Sequence, residues 1–263
     1  MTARHKKGDR SFASDVSRFE KNIYQTSKGR IRQAVLAADL AALISSPGPL
    51  RVLDIGAGLG QVNQLFAAAG HQVTHTDIAS EMVEQAKLVH TEAGLGERYQ
   101  YLSASLQALP DQLVGQTFDV ILCHAVFEWL AEPERALALI KPLMAAGGWL
   151  SLMFYNRQAK EMANLIYGNF DYVRAGLQVK KKVRFSPQQP LDISRVYGWA
   201  LAQGLTLYKH SGVRCIHDYL RVLDDQQRDD LIQMELDYRQ REPFRQFGRY
   251  QHFLLRNNVH SNV

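Results

Sequence analysis

The sequence predicts an α/β fold with a mostly parallel sheet covered by helices on both faces, and three observations carry that prediction. A short buried strand, Val52-Leu53-Asp54-Ile55, breaks at Gly56, Gly58 and Gly60, and a helical pattern restarts at Gln61 with Val62, Leu65, Phe66 and Ala69. Glycine spacing of this kind lets the backbone turn tightly and expose its amides at a helix start. Strand and helix patterns then alternate as far as Tyr155, the signature of right-handed crossovers between parallel strands. Two further strand patterns, Leu205–Val213 and Arg249–Leu255, come late in the chain.

Taken in order, residues 1–16 read as a basic, disordered tail. A helical pattern over 17–42 (Phe19, Ile23, Ile31, Val35, Leu36, Leu40) is interrupted at Thr26-Ser27-Lys28-Gly29, the mark of two helices. Pro47-Gly48-Pro49 punctuates before the glycine-loop strand. The second strand is Gln72–Thr76, ending at Asp77, and a helix over 78–93 follows with Ser80 as its expected cap. The third is Tyr99–Leu102, running into Leu106-Gln107, and the fourth is Phe118–Cys123, ending at His124. A helix over 133–144 closes at Ala145-Ala146-Gly147-Gly148, and the fifth strand is Trp149–Tyr155. Beyond Asn156 the rhythm changes. A helix over 158–175 leads to the charge run Lys180-Lys181-Lys182-Val183-Arg184 and a loop bounded by Pro187 and Pro190, with helices over 192–204 and 224–241 around the sixth strand. We expect one domain over 17–263: N-terminal helices 17–46, a core at 47–156, a basic insertion at 157–191 and C-terminal elements at 192–256.

The chain has 263 residues, 46% hydrophobic and 22% charged, enough for one large core. No apolar run approaches the roughly 20 residues of a membrane span, and the basic N-terminus is followed by no secretory apolar stretch. Cys123 and Cys215 lie far apart and suggest neither a disulfide framework nor a metal site. These features fit a reduced, cytoplasmic protein with no membrane partner and no metal. A net charge of +5 tilts the partner weakly towards a polyanion.

NAD-binding folds use G-x-G-x-x-G, whose third glycine would fall on Gln61 here. Asp54 lies before the loop, and Asp77 closes the second strand where a carboxylate can accept bonds from both ribose hydroxyls. The combination D-x-G-x-G-x-G, Asp77 and the Gly147-Gly148 hairpin resembles the class I S-adenosylmethionine-dependent methyltransferases. Their Rossmann-like seven-stranded sheet, mostly parallel with an antiparallel last strand, accommodates the two late strands. That resemblance, over residues 45–160, implies S-adenosylmethionine as cofactor. The backbone at Gly56-Ala57-Gly58 would face its methionine part, Asp77 its ribose, and Leu106-Gln107 its adenine. His124 would face the cofactor's amino acid or the substrate. Leu106 and Val126 are equally readable as core, and His71, His75 and His252 as structural histidines.

Less generic stretches point further: RFEKNIYQTSKGRIRQAVL (18–36), HAVFEWL (124–130), LSLMFYN (150–156), GNFDYV (168–173), GVRCIHDYL (212–220) and the late GRYQHF. Together they are similar to the tRNA 5-carboxymethoxyuridine methyltransferase family from about Ser17 to Phe253. The resemblance implies methylation of the carboxylate of 5-carboxymethoxyuridine at the wobble position, to the methyl ester, with the tRNA anticodon stem-loop as partner. It implies cofactor contacts at Arg32, Gly56-Ala57, Asp77, Leu106-Gln107 and His124. Ala57 departs from the family's usual glycine, a small change where the contact is through backbone.

The chemistry asks little of the protein beyond alignment. A methyl group leaves a sulfonium by in-line displacement, so near-contact orientation supplies much of the rate. A carboxylic acid with a pKa near 4 is already ionised at neutral pH, and no compelling base or nucleophile constellation is present. A cationic or hydrogen-bonding clamp is required. Arg32 would bind the cofactor's carboxylate through its planar guanidinium; otherwise it is a surface helix arginine. Arg214 is the leading candidate for the substrate carboxylate, with Tyr155 and His217 behind it, against the alternative of a solvated strand arginine and a structural histidine. Tyr24 and Trp129 could line the sulfonium or adenine pocket or simply pack in the core. Lys180, Lys181, Lys182 and Arg184 are the expected tRNA-phosphate contacts, giving affinity that falls with salt, and Phe170, Tyr172 or Tyr155 could stack an unstacked base. A charge run is otherwise an ordinary solvated loop. Two other functions remain open: a carboxyl O-methyltransferase acting on a small or carrier-bound acid, and a cofactor-binding subunit without turnover. Oligomeric state is not legible.

Overall fold

The computed structural model describes residues 26–178, 189–221 and 228–258. The tail at 1–16, Tyr24, the charge run Lys180–Arg184 and Pro187 lie outside them. Seven strands form one sheet in the order β3-β2-β1-β4-β5-β7-β6: β1 Arg51–Ile55, β2 Gln72–Asp77, β3 Tyr99–Ser103, β4 Phe118–His124, β5 Met144–Tyr155, β6 Leu205–Val213 and β7 Tyr250–Asn257. The first five pair in parallel, and β7 runs antiparallel between β5 and β6. Nine helices accompany the sheet in the described residues: α1 Ser27–Ile44, α2 Asn63–Ala68, α3 Ser80–Glu92, α4 Leu109–Gln112, α5 Ala136–Ile140, α6 Arg157–Ile166, α7 Phe170–Arg174, α8 Ile193–Ala202 and α9 Arg228–Tyr238.

Strand residues alternate between faces, and both faces are covered. Leu53, Ile121, Leu150 and Leu152 join one core with Leu137 and Ile140 of α5 and Val196 and Ala200 of α8. Val52, Val120 and Leu122 join the other with Leu40 of α1 and Phe66 of α2. The strand order reverses between β1 and β4, so their carboxyl ends diverge there and leave the crevice in which such sheets bind ligands.

Helix starts follow local chemistry. Thr26 caps α1, its hydroxyl accepting from Gly29 N–H at 3.3 Å. The TSKG interruption is therefore the start of a helix. Asn156 caps α6 through Gln158 N–H at 3.0 Å, and Asp192 caps α8 through Arg195 N–H at 3.1 Å.

Several expected boundaries are corrected. Ser80 is the first residue of α3 and Ala79 its cap position; the side chain meeting that helix end is Asp77, which accepts from Ala79 N–H at 2.9 Å. The helix expected over 133–144 is shorter, a 3₁₀ turn (Pro133–Arg135), α5 and a second turn (Lys141–Leu143). β5 begins at Met144 and carries Ala145–Gly148 as an irregularity: Phe118 pairs with Met144, yet Val120 pairs with Trp149. Gly147, at φ +72°, makes that bulge feasible. The helix expected over 158–175 is two helices, divided where Gly168 takes φ +74°. No described helix is long and apolar enough to cross a membrane.

Candidate active site at the carboxyl ends of the strands

The glycine loop leaves β1 with Gly56, Gly58 and Gly60 all at positive φ. Its backbone is tied to β2: Ala57 N–H donates to the Thr76 carbonyl at 2.9 Å, and Gly58 N–H donates to Asp77 Oδ2 at 3.0 Å. Asp77 thus accepts from Gly58 N–H on one carboxylate oxygen and from Ala79 N–H on the other, and stays half-buried at the end of β2. Burial raises its pKa, and bonds from Ala79, Gly58 and Ile78 oppose the rise. A Cβ on Gly56 would lie 2.5 Å from Val126 Cγ2, so the loop packs directly on the segment after β4.

Asp54 lies beneath this loop. It is buried and accepts from Asn63 Nδ2 at 2.8 Å. Asn63 also accepts from the Tyr99 hydroxyl at 2.9 Å and approaches His75 Nδ1 at 3.2 Å. His90 stacks on Tyr99 at 4.0 Å and bonds the Leu59 carbonyl at 3.3 Å. Burial lifts Asp54 to about 8, against its Asn63 bond and aided by the Asp77 charge, and it lowers His75 to about 3 and His90 to about 4. Burial thus disfavours the charged form of each titratable group in the knot, and Asp54 supports the loop from below. Leu106 is buried in the main core, while Gln107 beside it is exposed. His71 bridges two chain segments, accepting from Leu50 N–H at 3.1 Å and bonding the Ile44 carbonyl at 2.9 Å, a structural histidine as expected.

At the end of β4, His124 is half-buried and reaches Ser151 Oγ with Nε2 at 2.8 Å. The same hydroxyl lies 2.8 Å from His252 Nε2, and His252 Nδ1 lies 2.8 Å from Asp39 Oδ2 on α1. Burial, then the proximity of His252 and Arg32, holds His124 well below the usual histidine range. Arg32 is half-buried on α1, and its charge also acts on Glu128 and Tyr250. Its charge also reaches His124 at the end of β4. Glu128, in the 3₁₀ turn after β4, is a buried acid that sequence reasoning missed. Burial pushes it to about 8, against bonds from its own and the Tyr155 amide and the Arg32 charge.

Two of the three residues singled out for the substrate carboxylate, Arg214 and His217, converge on one neighbour, Asp218, and the third, Tyr155, stands beside it through Arg249. Arg214 donates to Asp218 Oδ1 from Nε at 3.1 Å and from Nη2 at 2.6 Å, and Nη2 also contacts Oδ2. His217 Nδ1 is 2.9 Å from the same carboxylate, and its Nε2 is 2.9 Å from Ser27 Oγ on α1. Arg249 lies 3.7 Å from Asp218 Oδ2 and over the Tyr155 ring at 4.9 Å. Although burial works the other way, the His217 bond and the two arginines hold Asp218 well below the usual carboxylate range. Burial pushes Tyr155 up to about 12, with Arg249 opposing; a phenol this weakly acidic is no base at neutral pH. Arg214 is the more enclosed cation, its side chain 12% exposed against 30% for Arg249. Two guanidinium groups and one carboxylate leave one net positive charge.

The backbone around the cluster is prearranged. Arg214 has φ +64°, costly for a residue with a Cβ and concentrated at functional sites. Glu235 of α9, fully buried, accepts the amides of Cys215 at 2.6 Å, Ile216 at 3.0 Å and His217 at 2.8 Å. Arg249 and Tyr250 lie in the late GRYQHF stretch, but neither they nor Glu235 carried a site assignment from the sequence, because strand and helix pairing alone brings them beside Arg214 and Asp218. Along α6 and α7, Tyr167 and Phe170 are largely exposed, and Lys160 Nζ sits over the Tyr172 ring at 5.5 Å. Among the described residues, no group of three or more His, Cys, Asp or Glu side chains could hold a metal ion.

Comparisons with known proteins bear on the family and the fold. Residues 53–152 match the family described as a methyltransferase domain. The chain is 41% identical over 253 residues to the tRNA 5-carboxymethoxyuridine methyltransferase of Escherichia coli K12, covering 94% of this chain and 96% of that one. It is 27% identical over 170 residues to the ubiquinone biosynthesis O-methyltransferase of Colwellia psychrerythraea, covering 62% and 64%. Among solved structures, magnesium protoporphyrin IX methyltransferase from Synechocystis PCC 6803 with bound SAH superposes with a TM-score of 0.63 at 15% identity, over 94% of this chain and 96% of that one. The [4+2]-cyclase SpnF superposes with a TM-score of 0.59 at 18% identity, over 91% and 85%. At such identities these two likenesses concern the fold.

Proposed function

Because the chain belongs to the tRNA 5-carboxymethoxyuridine methyltransferase family, we propose that it transfers a methyl group from S-adenosylmethionine to the carboxylate of 5-carboxymethoxyuridine at the wobble position of tRNA, forming the methyl ester. The observation that carries this reading is the near-full-length identity of 41%, which takes in the Arg214–Asp218 segment as well as the glycine loop.

The donor set fits that cofactor. A carboxylate offers about four lone-pair sites, and the amides of Gly58, Ala79 and Ile78 take up three of them at Asp77, which leaves acceptor capacity for a ribose hydroxyl. The amides at Gly56-Ala57-Gly58 and the backbone after His124 line the methionyl side, with Arg32 on its carboxylate. Leu106 and Gln107 give an apolar floor and a polar edge for adenine. When bound, S-adenosylmethionine supplies an electrophilic methyl carbon on a sulfonium.

The rest of the work is orientation. The wobble carboxylate, ionised at neutral pH, is drawn to the excess positive charge of Arg214, Arg249 and Asp218. Arg249, the more exposed guanidinium, is the group best placed to hold it, and Asp218 keeps both arginines from pairing so tightly that the oxygen loses nucleophilicity. Tyr155 and His217 shape the floor of the cluster. Exposed aromatics such as Phe170 supply a stacking face for the flipped base, and Lys180, Lys181, Lys182 and Arg184 supply phosphate contacts from a segment outside the described residues. The protein works in the cytoplasm, where its tRNA substrate is found.

The test uses purified protein, labelled S-adenosylmethionine and tRNA from cells lacking this gene, followed by nucleoside analysis. A base-labile methyl ester on carboxymethoxyuridine is expected. Tight cofactor binding with no label on tRNA would overturn the substrate and point to a small carboxylic acid.

A further inference from the structure

His124 and His252 flank Met153 as register partners from opposite sides of β5, and Ser151, two residues back on the same face, lies between them. The result is a continuous buried chain, Asp39–His252–Ser151–His124, running from α1 through three strands to the cofactor side of β4, with every link 2.8 Å. We propose that Asp39, His252 and Ser151 are positioning residues that set the tautomer of His124, holding its proton on Nε2 and leaving a lone pair on Nδ1 for the ammonium group of the cofactor's methionyl end.

The polarity of the chain follows from donor and acceptor capacity. A serine hydroxyl has one proton, so between two imidazole nitrogens it donates to one and accepts from the other. Asp39 fixes which. Its carboxylate is an acceptor, so His252 Nδ1 carries a proton and donates to it. Asp39 Oδ1 is already held by Arg239 Nε at 3.1 Å and Gln240 Nε2 at 3.4 Å. With the Arg239 charge already set against the carboxylate, the proposed relay has His252 present a lone pair at Nε2. Ser151 must then donate to His252 and accept from His124 Nε2–H. His124, itself neutral, is left with Nδ1 as acceptor.

Charged and titratable groups around the relay are Asp39 and Arg32 on α1, Arg239 after α9, Lys209 and His210 on β6, and His124 on β4. Lys209 Nζ donates to the Asp39 carbonyl at 3.0 Å. His210 is driven down to about 4 by burial, against its Gln251 bond, and is neutral. An ammonium has only donors, so a histidine presenting N–H there would repel it. Arg32 for the carboxylate and the His124 lone pair for the ammonium would read the two ends of one zwitterion. This inference rests on the proposed cofactor reading.

The experiment is long-range proton–nitrogen correlation on protein labelled with nitrogen-15 histidine, with His124 assigned by its loss in His124→Asn, alongside calorimetry with S-adenosylmethionine. The parent is expected to show His124 protonated at Nε2. In Asp39→Asn the amide keeps its oxygen on Arg239 and turns its N–H2 to His252, which reverses each link; His124 moves its proton to Nδ1, and S-adenosylmethionine affinity falls about 10- to 100-fold. Ser151→Ala should leave His252 donating to Asp39 while His124 populates both tautomers and binding weakens. A parent His124 protonated at Nδ1 overturns the proposal even where the variants fail to fold. So does Asp39→Asn with the parent's tautomer and affinity. The expected tautomer with no S-adenosylmethionine binding by the parent overturns the cofactor reading and leaves the relay standing.

Discussion

Asp218 orders the cations of the site, and its neighbours divide into two kinds. Arg214 is bonded to it through several contacts and is nearly enclosed. Removing it leaves a buried carboxylate without its main partner, so Arg214→Ala should cost about 3 kcal/mol of stability as well as turnover. Arg249 is more open and less tightly held. Arg249→Ala should leave S-adenosylmethionine affinity and the unfolding midpoint near the parent's while lowering kcat/KM for tRNA about 10- to 100-fold, the scale of one lost charge-assisted hydrogen bond. Calorimetry, denaturation and initial rates on both variants separate the two roles, and equal behaviour of the pair would argue against the division. Asp77→Ala should abolish measurable cofactor binding, because the carboxylate that holds the loop amide of Gly58 is also the one proposed to hold the ribose.

The elements show what could be read from the chain and what could not. The β1 strand and its glycine turn were legible because three glycines in five residues serve one backbone conformation. The knot beneath them was not. Asn63, His75, His90 and Tyr99 come from α2, β2, α3 and β3, and no local pattern announces that these four elements share a floor. It is tightly made: a Cβ on Gly60 would lie 2.7 Å from both Asn63 Oδ1 and His90 Nε2, at φ +74°. Gly60→Ala should cost about 1–3 kcal/mol in urea denaturation. The knot also carries a pH signature. Asp54 has its folded pKa raised from 3.8 to about 8, so its native form prefers the proton, and its contribution to stability declines as pH rises from about 4 towards 8. Asp54→Asn removes that titration. The variant should gain stability on the parent at pH 8, with the advantage shrinking towards pH 4, and a difference that does not vary with pH would show Asp54 to be ionised throughout.

Over the whole molecule, the order of elements was readable from hydrophobic rhythm, and the late strands Leu205–Val213 and Tyr250–Asn257 fall within one or two residues of expectation. The candidate site residues that the sequence offers are those in continuous motifs, as in the glycine loop, Asp77, His124 and the Arg214–Asp218 segment. Arg249 reaches Asp218 only through the pairing of distant strands, whereas Glu128 lies four residues after His124 and nothing in its local sequence says that its carboxyl is buried; His252, expected to be structural, makes buried bonds to Ser151 and Asp39. A net charge of +5 gives tRNA binding a salt-sensitive component. Replacing Lys180, Lys181 and Lys182 with alanine should raise the tRNA KM and flatten the log–log salt slope by about 2, and an unaltered slope would return that run to ordinary surface. The central claim is that the substrate's own carboxylate is the nucleophile and the protein aligns it without a base. Its most direct measurement is the single-turnover rate of methyl transfer to carboxymethoxyuridine in tRNA, followed between about pH 6 and 7.5, where such a carboxylate stays ionised. A flat profile is predicted. A rate that climbs with the titration of a single protein group across that range would contradict the claim and require a catalytic base.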